Sequence, residues 1–251
     1  MLTIDQHGDV ALVTFDRPPA NALNTAFFVA LEEVLARLDV PDVRAVVLTG
    51  TGRFFSAGLD LFEVFAYPEP QFAEFTRRFD TGYRALFAFP KPVVAAVNGH
   101  AIAGGAVLAG CADVRLMAAG SGRVGLTELQ LGVTFPAAIL EIMRYACAGR
   151  AFAEVVERAL TYPPEVGAAR GLVDEVVPAD VLRERALAVA AELGAILPSA
   201  FAATKRTLRA DALSRMNASA PGADPVWDHW RSPEVRAAVE AYRKRVVGKK
   251  A

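Results

Sequence analysis

The sequence predicts an α/β fold in which repeated strand–strand–helix units are followed by a helical C-terminal part. Three observations predict it. Short apolar runs rich in β-branched residues, at 10–15, 44–49 and 93–97, read as strands, the last two buried on both faces. Segments with a 3.6-residue apolar rhythm alternate with them. From Pro178 onward only the helical rhythm remains. The chain has 251 residues, enough for one large domain, or a domain with a small appendage, and for a sizeable core.

The first strand, 10–15, ends at Asp16-Arg17-Pro18-Pro19, because proline cannot continue a ladder. Asn24 then caps a helix with Phe28, Leu31, Leu35 and Leu38 on one face. After the strand at 44–49, Gly50-Thr51-Gly52 turns the chain into a strand from Phe54, which ends in a glycine bend beside Asp60. A proline-bearing loop at 67–71 precedes Phe72, Phe75, Phe79, Tyr83 and Leu86, an aromatic stripe that packs a core or walls a greasy tunnel. The strand at 93–97 breaks at Asn98-Gly99, a pair that accepts positive φ, and Ala103-Gly104-Gly105-Ala106 opens a helix. Further strands are expected at 114–117 and 172–177, and helices at 137–146 and 151–160. Another helix begins at Pro163-Pro164-Glu165 and ends at Gly171. In the helical tail Asp180 caps the first helix, Pro198-Ser199 starts the second, and Ser232-Pro233-Glu234 starts the last. Arg243, Lys244 and Arg245 suit that helix's C-terminus and need no ligand to explain them.

A net charge of −1 gives no electrostatic reason to expect nucleic acid or a membrane surface as partner. The mean hydropathy of +0.29 is high, and residues 92–112 carry no charged side chain. Asn98, His100 and four glycines nevertheless make that stretch too broken for a lipid-facing helix, so it reads as the core of a protein without a membrane span. The N-terminus enters a strand pattern at once, so a cytoplasmic location is expected. Cys111 and Cys147 read as core, and His7, His100 and His229 lack metal-ligand spacing; no metal is expected.

Neither a nucleophile elbow, an H-E-x-x-H helix, a P-loop nor a dinucleotide fingerprint is present. What remains is a pair of glycine-rich strand ends, around Leu59 and Gly104, each able to point a backbone N–H outward. Converging on one oxygen, two such donors form an oxyanion hole; composition does not show that they converge.

At this point a resemblance becomes specific. Arg17-Pro18 and Asn21-Ala22-Leu23-Asn24 are followed in order by Phe55-Ser56-Ala57-Gly58-Leu59-Asp60-Leu61. Lys91-Pro92, Val97-Asn98-Gly99, Ala103-Gly104-Gly105 and Cys111-Ala112-Asp113 come next. Together they resemble the crotonase (enoyl-CoA hydratase/isomerase) family over nearly the whole chain. The resemblance implies a spiral of β-β-α turns over residues 1–197. It implies a helical region over 198–251 that serves oligomerisation and covers the active site. It also implies an acyl-CoA thioester substrate, trimers or pairs of trimers, and no cofactor beyond the coenzyme A of the substrate.

The family's site residues fall here on the backbone N–H groups of Leu59 and Gly104 as oxyanion donors. Ala22, Ala57, Gly58, Asp60, Leu61 and Thr127 fall at the substrate and CoA site. Hydratases of this family carry two glutamates, since water must be both oriented and deprotonated. The first of those positions is Val107 here and the second is Glu128. One carboxylate suffices for a 1,3-proton shift, and the segments around Ser56–Leu61 and Leu126–Gly132 look like those of mitochondrial-type Δ3,Δ2-enoyl-CoA isomerases. Thr127 replaces the asparagine usual there, and Pro136 stands where dienoyl-CoA isomerases add an aspartate. The expected activity is therefore a Δ3,Δ2-enoyl-CoA isomerase of fatty-acid metabolism with Glu128 as acid/base. The alternatives are a hydratase or other acyl-CoA enzyme of the family, and a non-catalytic acyl-CoA-binding paralogue. For Glu128 the plain alternative is an ordinary surface acid; His100 and Glu63 read as helix or pocket-edge residues.

Overall fold

The structure is a computed structural model and describes residues 1–147 and 149–247. β1 (Leu2–His7) and β2 (Val10–Phe15) form an antiparallel hairpin, and α1 (Thr25–Leu38) follows with the Asn24 side chain accepting the Phe27 N–H at 2.9 Å. Three spiral turns come next. The first is β3 (Ala45–Gly50), β4 (Phe54–Ser56), α2 (Leu61–Val64) and α3 (Glu69–Ala88). The second is β5 (Val93–Val97), β6 (His100–Ile102) and α4 (Gly104–Gly110). The third is β7 (Val114–Ala118), β8 (Val124–Gly125), a 3₁₀ turn (Glu128–Leu131), α5 (Ala137–Ala146) and α6 (Arg150–Arg158). β9 (Thr161–Tyr162), α7 (Pro164–Ala169) and β10 (Glu175–Val177) complete the sheets. The tail is α8 (Leu182–Gly194), α9 (Pro198–Leu208), α10 (Ala210–Met216), α11 (Val226–Trp230) and α12 (Pro233–Val247).

In each turn the first strand joins one sheet and the second strand the other. The larger sheet has the order β1-β2-β3-β5-β7-β10, parallel from β2 onward; the smaller runs β4-β6-β8-β9. The larger sheet is covered on both faces, which is why its strands read as unbroken apolar runs. Along β5, Val93, Ala95 and Val97 face the main core, whereas Val94 and Ala96 face Leu182, Ala186 and Ala190 of α8. The main core is continuous with the helical tail, taking in Ala212, Met216, Trp227, Trp230 and Val235. Among the described residues no single helix is long and apolar enough to cross a membrane, and the uncharged stretch 92–112 folds as β5, β6 and α4.

Four local expectations need correction. His100, read as a helix or pocket-edge residue, begins a strand, His100–Ile102, which pairs with β4 and β8 and so creates the second sheet. Neither Asn98 nor Gly99 has positive φ; Gly99 is needed because a Cβ there would lie 2.1 Å from the Arg53 carbonyl oxygen. Asp180 does not cap α8, whose N-cap position is Val181 without a side-chain bond. The strand expected from Phe54 also stops early, at Ser56, and the residues after it form the bend.

A buried charge cluster docks the tail onto the spiral. Asp113, just after α4, accepts from Lys205 Nζ at 2.7 Å, Arg209 Nη2 at 2.7 Å and the Val93 N–H at 2.8 Å. Arg209 is 1% exposed and also donates to the carbonyls of Phe87, Cys111 and Ala112. Desolvation pulls the Lys205 ammonium down to about 8 despite the adjoining carboxylate. Deleting one member strands the others, so Asp113→Ala is expected to cost roughly 3–5 kcal/mol in urea unfolding. A loss below about 1 kcal/mol contradicts this account of the docking.

Candidate active site

The two glycine-rich bends meet. The bend after β4 is tied to the segment before α1 by a bridge between Leu23 and Leu59. In that bridge the Leu23 N–H donates to Gly58 O and the Asp60 N–H to Leu23 O, both at 2.8 Å. Gly58 has φ +81°, and a Cβ on it would sit 2.8 Å from Ile102 O and 2.9 Å from Gly104 N. Only glycine satisfies both the backbone angle and the contact. This contact brings the bend of the first spiral turn against the start of α4 in the second.

The direction of each N–H follows from peptide planarity, since a trans peptide points its N–H opposite to its C=O. The Gly58 carbonyl is held toward Leu23, so the Leu59 N–H in the same peptide points the other way. The Ala103 carbonyl accepts from Ala106 at 2.9 Å and Val107 at 3.2 Å inside α4, so the Gly104 N–H points out of the helix start. The preceding peptide is pinned by Ala103 N–H to Gly125 O at 2.8 Å, with Ala103 itself at φ 52°. Among the described residues neither the Leu59 nor the Gly104 N–H donates to a protein acceptor. Tyr83, fully buried on α3, supports the second donor from behind, its hydroxyl donating to Gly104 O at 2.8 Å.

Both donors open on one cavity of about 430 Å³. Of the residues singled out from the sequence, Ala22, Ala57, Leu59, Asp60, Leu61, Gly104, Thr127 and Glu128 all line it. Gly58 does not; it lies behind the wall as the spacer that lets the bends touch. Val107 is buried on the same wall, one turn into α4, and presents no carboxylate there. From the aromatic stripe only Phe79 reaches the cavity; Phe72, Phe75, Tyr83 and Leu86 are core.

Glu128 opens the 3₁₀ turn and is half-buried on the cavity wall. Desolvation pushes its carboxyl up to about 7, although hydrogen bonds from the backbone N–H groups of Glu128 and Thr127, the latter at 2.8 Å, favour the anion. Among the described residues no cationic side chain within hydrogen-bonding range offsets the burial. Asp60 is placed differently. It pairs with Arg17 at 3.0 Å and caps α2 by accepting the Glu63 N–H at 3.2 Å. Arg17 also bonds Ala22 O and Glu63, and Glu63 accepts from Asn24 and from the Tyr67 hydroxyl. Glu63 is thus a structural tie between α2 and the start of α1. His100 lies on β6 outside the cavity wall.

The tail completes the site with residues that no local pattern marked. Trp230 and Tyr242 line the cavity from α11 and α12. His229 Nε2 donates to Gly132 O at 3.0 Å, Trp230 Nε1 to Thr134 O at 2.8 Å, and the Ala137 N–H to Asp224 at 2.8 Å. These three bonds clamp the loop that follows Glu128. Nothing local in the chain announces them, because donors and acceptors lie some ninety residues apart.

Residues 5–242 match the enoyl-CoA hydratase/isomerase family. The chain belongs to that family. It is 31% identical over 215 residues to human mitochondrial enoyl-CoA delta isomerase 1, spanning 84% of this chain and 71% of the relative. It is 33% identical over 210 residues to the 2,3-dehydroadipyl-CoA hydratase of Escherichia coli K12, spanning 83% and 81%. The crystal structure of human mitochondrial delta3-delta2-enoyl-CoA isomerase superposes with a TM-score of 0.95 at 26% identity, over 100% of this chain and 99% of that one. The crotonase spiral is therefore this chain's fold, and the protein is an enoyl-CoA hydratase/isomerase family enzyme.

The environment of Glu128 has a consequence for stability. Its folded-state pKa lies above the ordinary 4.5, so its stability contribution is complete below that pH and is lost as pH rises through about 7. Glu128→Gln is therefore expected to be more stable than the parent at alkaline pH by roughly 1–3 kcal/mol, discounted for the solvated cavity side. Urea unfolding as a function of pH should show the gap closing toward the acid limb. A variant less stable than the parent at every pH contradicts the assignment of an uncompensated carboxylate.

Proposed function

We propose that this enzyme moves a carbon–carbon double bond of an acyl-CoA thioester from C3 to C2, with Glu128 as the single acid/base. The observation that carries this reading is the inventory of carboxylates on the wall. Among the described residues Glu128 has no cationic partner, Asp60 is held by Arg17, and Val107, buried on the wall, stands where the family resemblance puts a hydratase's second glutamate.

The chemistry follows from that arrangement. The Glu128 carboxylate removes a proton from C2 of a 3-enoyl thioester, and the C–H electron pair delocalises onto the thioester oxygen. The N–H groups of Leu59 and Gly104 stabilise the resulting dienolate, each contributing about 3–4 kcal/mol when preorganised. The protonated Glu128 returns the proton at C4, the C2=C3 double bond forms, and the thioester carbonyl is restored. Proton count and charge balance within the substrate and one side chain, so the step calls for no group beyond the coenzyme A that the substrate brings. A carboxyl with a pKa of about 7 is suited to both halves, as base and then as acid. A hydratase needs a second group to orient water, and Val107 supplies none.

Purified protein given a 3-enoyl-CoA is expected to accumulate the 2-enoyl isomer, and Glu128→Gln to lose about a thousandfold in kcat. Since the carboxylate is the active form, kcat/KM should rise with pH through an inflection near 7 and then level off. Equal turnover by parent and variant, or hydration of crotonyl-CoA far faster than any isomerisation, sinks the proposal.

A further inference from the structure

The cavity wall is chemically uneven. Arg17 and Asp60 pair on it at 3.0 Å. Phe79, Val133, Phe135, Ile139 and Trp230 contribute apolar surface to the same wall. A chain of contacts leads from the Gly104 donor to Trp230. Tyr83 touches Gly104, Phe79 lies one turn along α3 with its ring 4.8 Å from that of Tyr83, and Trp230 lies beyond, 6.4 Å from Phe79. One helical turn plus one aromatic contact places Trp230 on the order of 10 Å from Gly104.

Trp230 is also unusually constrained for a wall residue. It is 2% exposed, its indole N–H is bonded to Thr134 O at 2.8 Å, and its ring is stacked on Phe65 at 6.0 Å with an interplanar angle of 10°. Trp227 packs against it at 4.7 Å, near perpendicular. A side chain bonded at its polar tip, stacked on one face and packed edgewise by Trp227 cannot rotate aside for a longer ligand without breaking that bond or opening a void.

We propose that Trp230 is the specificity-determining residue that ends the acyl chamber, so that the enzyme selects uncharged straight-chain acyl groups up to a sharp length limit. The inference rests on the reading above that this cavity holds an acyl-CoA with its thioester at Leu59 and Gly104. Each methylene that enters apolar space should tighten binding by about fourfold. That gain ends when the chain tip meets the indole.

The test is a binding series by calorimetry with saturated hexanoyl-, octanoyl-, decanoyl- and dodecanoyl-CoA, which needs no turnover. The parent is expected to tighten along the series and then stop or weaken abruptly. Measured relative to each protein's own hexanoyl-CoA affinity, Trp230→Leu should carry the tightening on to longer chains, gaining about tenfold for the first ligand past the parent's limit. If Trp230→Leu does not fold, Trp230→Phe, which keeps the packing but loses the bond to Thr134, should soften the limit. An unchanged length profile, or a uniform loss at all lengths, overturns the proposal. Length-dependent binding without isomerisation of any 3-enoyl-CoA would instead uphold the role of Trp230 and remove the catalytic reading.

Discussion

Two carbonyl oxygens, those of Gly58 and Ala103, fix the direction of two backbone N–H groups on the cavity wall. Each is held by backbone N–H groups on its far side, so the N–H of the same peptide unit has one direction left to point. The cost of aiming those dipoles is met during folding, so in the proposed reaction an oxygen that gains charge would meet donors that need no reorientation. The spiral supplies the rest. Because β4 and β6 are neighbours in the smaller sheet, the bends at their ends come out side by side, and Gly58 lets them touch.

Glu128 shows the opposite economy. The donors are fully determined by the fold, whereas this carboxylate is placed where the fold gains least from its charge. It sits on an apolar wall and among the described residues takes only backbone N–H groups as partners, while the other carboxylate on the wall is paired with Arg17 and caps α2. Two acids on one wall thus have separate roles, one structural and one chemically available, and the difference lies in their neighbours. The clamp from His229, Trp230 and Asp224 then holds the loop that follows Glu128 in place.

Much of this was legible in the sequence because it is local. The buried strands announced themselves as apolar runs, Asn24 as a cap, and the ordered motifs around Leu59, Gly104 and Glu128 as parts of one family's site. Other features were hidden because their causes are non-local. The three residues of β6 are too few to show a period, and they become a strand only by pairing with β4 and β8. Gly99 looked like a turn glycine, but its reason is a carbonyl of Arg53 from another spiral turn. Trp230 and Tyr242 read as ordinary tail residues until the tail is folded over the cavity.

In the proposed reaction one oxygen is held by two backbone donors while one carboxylate faces the carbons beside it. A crystal structure of Glu128→Gln with a bound 3-enoyl-CoA tests it most directly. The thioester oxygen should lie about 3 Å from both the Leu59 and Gly104 nitrogens, with the residue-128 side chain on the same face as C2 and C4. A thioester oxygen bonded to neither nitrogen, or a side chain at 128 turned away from those carbons, contradicts the account.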